Sequence, residues 1–261
     1  MGITQRGSTT NATTATANSL ACNKPTGVVS GDVLLALVTT NAGNITSPGW
    51  TKIGSDVGTN PFGATWLYKV AGGSESSSYT FSNDSGTAPP ILVSITAWTG
   101  VDTTGGPVGG STITGSATSS EPKNIPGCTN TPLALPFYSR SCRVSHASSD
   151  IPTFTASGVT EKADTGVYSG ATVSYGHAIY IATEATGNPP SLNVTESSTS
   201  AETDNVVASL TLKTLVTSVS PSAGVAAITA SGGSPSLTLT ESPAAGTAAA
   251  SVGGPGASVG I

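Results

Sequence analysis

Apolar and polar residues alternate with a period of two in segment after segment of this chain, and turn-forming residues bound each segment. That pattern leaves little room for any fold but an antiparallel β one. Asp32 to Thr39 (DVLLALVT) is nearly all apolar and reads as a central strand. Thr65 to Val70 places Trp66, Tyr68 and Val70 on one face, and Thr65, Leu67 and Lys69 on the other. Ile91 to Trp98 groups Ile91, Val93, Ile95 and Ala97, with Trp98 on the opposite face. Thr172 to Ala182 groups Val173, Tyr175, His177, Ile179 and Ile181, and Asn205 to Lys213 groups Val206, Ala208, Leu210 and Leu212. Between them lie Asn41-Ala42-Gly43-Asn44, Gly72-Gly73-Ser74 and Gly187-Asn188-Pro189-Pro190, all turn chemistry. Many short strands with such turns predict a β-sandwich or barrel rather than βαβ units.

Composition removes the competing classes. Ser and Thr number 79, Gly 32 and Pro 17, while charged residues are 9% of the 261, against roughly 25% in an ordinary domain. Helix formers such as Lys, Glu, Gln, Met and Arg are scarce. A hydrophobic fraction of 36% with a net charge of −5 argues against disorder. Nine scattered Lys and Arg exclude charge-driven binding of nucleic acid. No run of 18 apolar residues predicts a membrane span, and the first twenty residues lack the apolar core of a signal peptide. Arg6 stands where a myristoylation start wants Ser or Thr. Three cysteines, Cys22, Cys128 and Cys142, leave at least one unpaired, which suits synthesis in a reducing cytoplasm.

Two halves of the chain echo each other. Tyr68-Lys-Val-Ala, Tyr79-Thr-Phe and Ile91-Leu-Val-Ser-Ile recur in outline as Tyr180-Ile-Ala-Thr, Leu192-Asn-Val-Thr and Val206-Val-Ala-Ser-Leu. A duplication, with halves at about 20–108 and 125–213, competes with chance similarity between β-rich segments. The domain then spans about 20–213. Residues 1–19 read as an N-terminal arm. Residues 214–261 carry one charge, Glu241, and no aromatic ring, and Ser220-Pro-Ser-Ala-Gly returns as Ser242-Pro-Ala-Ala-Gly. So small an apolar content cannot offset the ordering entropy of the segment, which therefore reads as an assembly segment held by partners.

Candidate chemistry is thin. His177 sits among apolar strand positions and reads as a hydrogen-bonded core residue rather than a general base. Cys128, Cys142 and His146 lack the paired spacing of a zinc site. There is no G-x-S-x-G and no HExxH, and Gly105 to Gly110 lacks the Lys of a phosphate loop and reads as a connector. Asp32 and Asp102 read as turn residues. No catalytic, cofactor or metal residue is assigned. The aromatic residues say more: Trp66 and Tyr68 suit a sandwich core, whereas Trp50 and Trp98 are candidates for contact with a glycan or a partner chain.

Several of these motifs resemble a known family. Gly31-Asp-Val-Leu-Leu-Ala-Leu-Val, Pro48-Gly-Trp-Thr-Lys-Ile, Trp66-Leu-Tyr-Lys-Val-Ala-Gly-Gly-Ser-Glu, Ser78-Tyr-Thr-Phe and Ala97-Trp-Thr-Gly-Val-Asp together resemble a β-sandwich domain common in virion proteins of tailed bacteriophages. The likeness covers Leu20 to Val108, and the second half follows in outline with Pro152-Thr-Phe in place of Pro48-Gly-Trp. Similar domains occur in minor tail and fibre-like proteins and in some secreted bacterial surface proteins, where they are structural or adhesive and share no catalytic residue.

The expectation is therefore an all-β, jelly-roll-like antiparallel sandwich with low-complexity arms at both ends. The resemblance implies a non-enzymatic virion protein, a surface-exposed capsid decoration or a minor tail or fibre component. It would need no cofactor and would assemble with other virion proteins and with copies of itself, as a homo-oligomer such as a trimer. It would bind no nucleic acid and insert in no membrane. A carbohydrate-binding adhesion module contacting host-surface or secreted glycans is the alternative.

Overall fold

The apolar run after Asp32 becomes a strand buried along its whole length, β4 (Val33–Thr40), because it is covered on both sides. The structure, a computed structural model, describes residues 2–41, 44–57, 62–84, 88–116, 122–129, 133–145, 150–170, 172–198, 201–216, 227–231 and 236–240. His146, the Ala42-Gly43 turn and the Ser220 and Ser242 motifs lie outside the described residues. Two units divide the chain, Met1–Leu215 and Val216–Ile261.

The larger unit is all-β and antiparallel. Its first half runs β1 (Thr4–Gln5), β2 (Thr10–Thr14), β3 (Ser19–Asn23), β4, β5 (Ile45–Thr46), β6 (Thr51–Val57), β7 (Gly63–Val70), β8 (Ser78–Asn83) and β9 (Ile91–Thr99). Its second half runs β10 (Val108–Ser116), β11 (Lys123–Ile125), β12 (Ala134–Ser145), β13 (Phe154–Ala156), β14 (Thr160–Tyr168), β15 (Val173–Ile181), β16 (Leu192–Glu196) and β17 (Ala201–Lys213).

Each half is a sandwich of one larger and one three-stranded sheet. The larger sheets are ordered β1-β9-β4-β7-β6, with β2 also on β9, and β10-β17-β12-β15-β14. The smaller ones are β3-β8-β5 and β11-β16-β13. With β1 and β2 counted as one element and each half numbered from its own start, both halves read 1-8-3-6-5 beside 2-7-4. The two halves thus repeat one strand order. The boundaries differ from expectation, however. Residues 1–19 are no free arm, since Thr10–Thr14 pair with β9 from Ile95 to Ile91 and Thr4–Gln5 pair with Thr99 and Trp98. The second half begins at Val108 rather than near 125, and Gly109-Gly110 belong to a strand rather than a connector. A Cβ at Gly110 would stand 1.8 Å from the carbonyl oxygen of Thr129, so the bulge there admits only glycine.

The two sandwiches stack through their larger sheets, giving four layers instead of the two of a single sandwich. Leu35, Leu37, Trp66 and Trp98 from one larger sheet pack with Phe137, Tyr175, Ile179 and Leu210 from the other. Outside them, Leu34, Ala36 and Val38 pack on Tyr79 and Phe81 in the first half, and Tyr138, Cys142 and Tyr180 pack on Phe154 and Val194 in the second. Strands with apolar residues on both faces follow from this stacking.

Two details of the internal echo are corrected by the register. Ile91 packs in the outer core and Val206 in the inner one, so their alignment is one residue out of phase. Gly49 and Gly158 share a φ of 76°, and each precedes a half-buried apolar residue at a strand start, Trp50 or Val159. The counterpart of Pro48-Gly-Trp is therefore Ser157-Gly-Val, not Pro152-Thr-Phe.

In the smaller unit the described strands are β18 (Ala227–Ser231) and β19 (Ser236–Thr240), which pair as an antiparallel two-stranded ribbon.

Candidate functional site

The polar residues that the strand pattern places inside the stack meet at the junction of the two halves. His177 on β15 is fully buried there. Its Nδ1 lies 2.9 Å from Thr39 Oγ1 on β4, and its Nε2 lies 2.7 Å from Ser94 Oγ on β9. Thr39 Oγ1 also lies 3.0 Å from Ser141 Oγ, and Ser94 Oγ 2.7 Å from Asn11 Oδ1. A neutral ring gives one proton and takes one, so one of the two hydroxyls turns its proton towards the ring. Burial lowers the His177 pKa to about 3, which keeps the ring neutral. A further bond joins the halves where Trp66 Nε1 donates to Ser139 Oγ at 2.9 Å. This group cannot serve as a general base on a substrate, because it is sealed between sheets. It fixes the register of one sandwich on the other.

Trp98, expected to face away from Ile91, Val93 and Ile95, does so, but that side is the buried junction. The residue is 1% exposed, meets Phe137 edge-on at 5.0 Å, and has the Lys162 ammonium 5.9 Å from its ring. It cannot act as a surface platform for a sugar or a partner, which corrects that assignment. Trp50 is half-buried at the start of β6 and packs against Tyr79 and Phe81 at 5.1 and 5.3 Å. The structure keeps the two tryptophans apart, one in the outer core of the first half and one at the junction.

The aspartates behave as the turn chemistry predicts. Asp32 accepts from Val29 N at 2.9 Å and pairs with Arg6 at 3.0 Å, and Asp102 accepts from Thr104 N at 2.9 Å. Cys22, Cys128 and Cys142 are buried and form no disulfide, and burial pushes the Cys22 thiol up to about 11. Such a thiol is inert. Among the described residues no group of three or more His, Cys, Asp or Glu is placed to hold a metal ion.

One buried group was missed in the sequence. Arg140, inside the apolar strand β12, is fully buried. It donates to Glu202 Oε1 at 3.0 Å and to the Val194 carbonyl at 2.8 Å, and lies 5.7 Å from the Phe154 ring centre. Lys123 reaches Glu202 Oε2 at 3.7 Å. The signal was an arginine on the apolar parity of a long strand, which demands an acid across the sheet. Glu202 supplies it from β17.

No family model, curated protein or solved structure matches the chain.

Proposed function

We propose that the chain is a non-enzymatic structural protein of a tailed-phage virion, a surface-exposed capsid decoration or minor tail or fibre component that assembles with copies of itself and with other virion chains. The observation that carries this reading is the division of the chain at Leu215. Up to that point stand two stacked sandwiches in which the buried His177 and Arg140 are engaged in holding layers together. Beyond it the described strands form one two-stranded ribbon, and such a ribbon is marginal alone in water. Its register puts Ile228, Ala230, Leu237 and Leu239 at positions of one parity, opposite Thr229 and Thr238. A ribbon of that kind gains stability by being completed with strands from other copies.

Each half winds so that its first and last elements are neighbours in one sheet and its second and seventh in the other. That winding supports the jelly-roll-like reading and with it the resemblance to virion sandwiches. The carbohydrate-binding alternative now rests on Trp50 alone.

The test is quantitative mass spectrometry of purified particles, scoring copies of this chain per major capsid subunit. A ratio near one or a simple fraction supports decoration. A handful of copies per particle supports a tail or fibre place. Absence from the particles overturns the reading, and glycan binding lost in Trp50→Ala would then support the alternative.

A further inference from the structure

We propose that the outer face of the β14–β15 pair binds a divalent cation of the calcium type through the carboxylates of Glu161 and Asp164 and the phenol oxygen of Tyr180. The placement comes from a bulge. Glu161 stands opposite Tyr180, the register then slips by one at Lys162, and Asp164 stands opposite Ala178. Tyr180 and Ala178 both belong to the outer core of the second half. Two carboxylates three residues apart, which an unbroken strand would point to opposite faces, therefore share one face.

Tyr180 supplies the independent observation. It is 1% exposed, and its hydroxyl is buried without a hydrogen-bond partner. A buried polar atom left in that state is costly and calls for a ligand. Directly opposite residues on one face of an antiparallel pair are within side-chain reach, which puts Glu161 next to it. Asp164 is anchored from the other side, since its Oδ2 accepts from Phe154 N at 2.9 Å.

The electrostatics agree with that placement. The charges of Glu161 and Asp164 act on one another and on the Tyr180 phenol. Two like charges and an acceptor oxygen facing each other are what a bound cation relieves. Arg140 stands opposite Ala178 on the neighbouring strand, but its charge is answered by Glu202 at 3.0 Å. An all-oxygen donor set selects a hard cation, with water and backbone carbonyls completing the shell. Two carboxylates place the affinity at the weak end for calcium, on the order of 10⁻⁴ to 10⁻³ M.

The test is a terbium titration of the full chain with excitation of its aromatic residues. Saturable emission that calcium displaces is expected, weakened at least tenfold in Glu161→Gln and in Asp164→Asn, with sensitised emission reduced in Tyr180→Phe. Glu161 is exposed, so Glu161→Gln leaves the fold intact, and circular dichroism checks each variant. Absent emission, emission that does not saturate, or a midpoint unmoved by Glu161→Gln overturns the proposal.

Discussion

The Nδ1 of His177 lies 2.9 Å from the hydroxyl of Thr39, 138 residues away and in the other sandwich. Neither residue has a role within its own half that needs the other. Each is a polar side chain on a strand face that would be greasy in a free-standing sandwich, and the pair makes sense only once the two larger sheets are stacked. Most of the junction's other contacts are apolar, and apolar contact alone does not specify register. The His177 bonds do, because sliding one sheet would leave buried hydroxyls and a buried ring nitrogen unpaired.

That arrangement makes the stack acid-sensitive. The folded-state pKa of His177, about 3, lies below the usual value of 6.5. Between those values the unfolded chain binds more protons than the folded one, so stability is full above about pH 6.5 and falls as pH drops towards 3. The slope contributed is about 1.4 kcal/mol per pH unit. Thermal unfolding followed from pH 7 to 4 should show a falling midpoint in the parent chain. In His177→Gln, which keeps hydrogen-bonding capacity without titrating, the fall should be shallower.

Asp164 acts in the opposite sense. Its pKa of about 6 is above the ordinary 3.8, so the folded chain binds the extra proton between those values. Its contribution is best below pH 3.8 and is lost as pH rises through 6. Asp164→Asn should therefore raise stability at pH 7 in chelator-containing buffer, by about 1–2 kcal/mol after allowing for its partial exposure. The gain should vanish by pH 4. Urea unfolding at the two pH values checks the sign.

The buried ion pair of Arg140 and Glu202 predicts an asymmetry. Glu202→Gln leaves the Arg140 charge inside the outer core, where the guanidinium is fully buried, and should cost about 3–5 kcal/mol. Replacing both residues by apolar ones of similar size should cost less than either single change. A double-mutant cycle in urea measures the coupling, and additive single effects would contradict the pairing.

The two tryptophans are separable by the same method. Trp98→Ala empties a site at the junction of the halves and should cost about 3–5 kcal/mol. Trp50 is half-buried in the first half's outer core, so Trp50→Ala should cost less. Equal losses would mean that Trp98 is not where the four layers meet.

Much of this was legible in the strand periodicity. The inward sets containing Tyr175, His177 and Ile179, and Val206 to Leu212, lie together in the shared inner core. The outward set of Ile91, Val93, Ile95 and Ala97 is likewise together. What periodicity could not reveal was that both faces of the larger sheets are covered. Alternation signals one apolar face, and polar residues on the second, such as Thr39, Ser94 and Ser141, carry no sign of burial by themselves. They are buried because they bond to His177 across the junction. The N-terminal strands escaped for a related reason: Thr10–Thr14 carries little apolar surface and is held to β9 by backbone pairing. Arg140 was hidden because an acid 62 residues away decides whether such a residue can be buried.

The final prediction concerns the division at Leu215. Leu215 N donates to the Gly100 carbonyl at 2.8 Å, and Glu184 Oε1 accepts from both Ile3 N at 2.7 Å and the Thr214 hydroxyl at 2.8 Å. The two ends of the larger unit are thus tied together by one carboxylate before the chain passes on to Val216. A chain ending at Leu215 keeps all of these bonds and should unfold at the same urea midpoint as the full chain. Sedimentation velocity should show the full chain self-associating and the shortened one as a monomer, because the ribbon of β18 and β19 is the part that needs further strands. Self-association that survives the truncation would move the assembly surface onto the sandwiches and remove the argument that 216–261 is there to join copies. Glu184→Gln in the shortened chain isolates the tie itself: weaker acceptance of two buried donors should lower the unfolding free energy by about 1–2 kcal/mol without altering the association state.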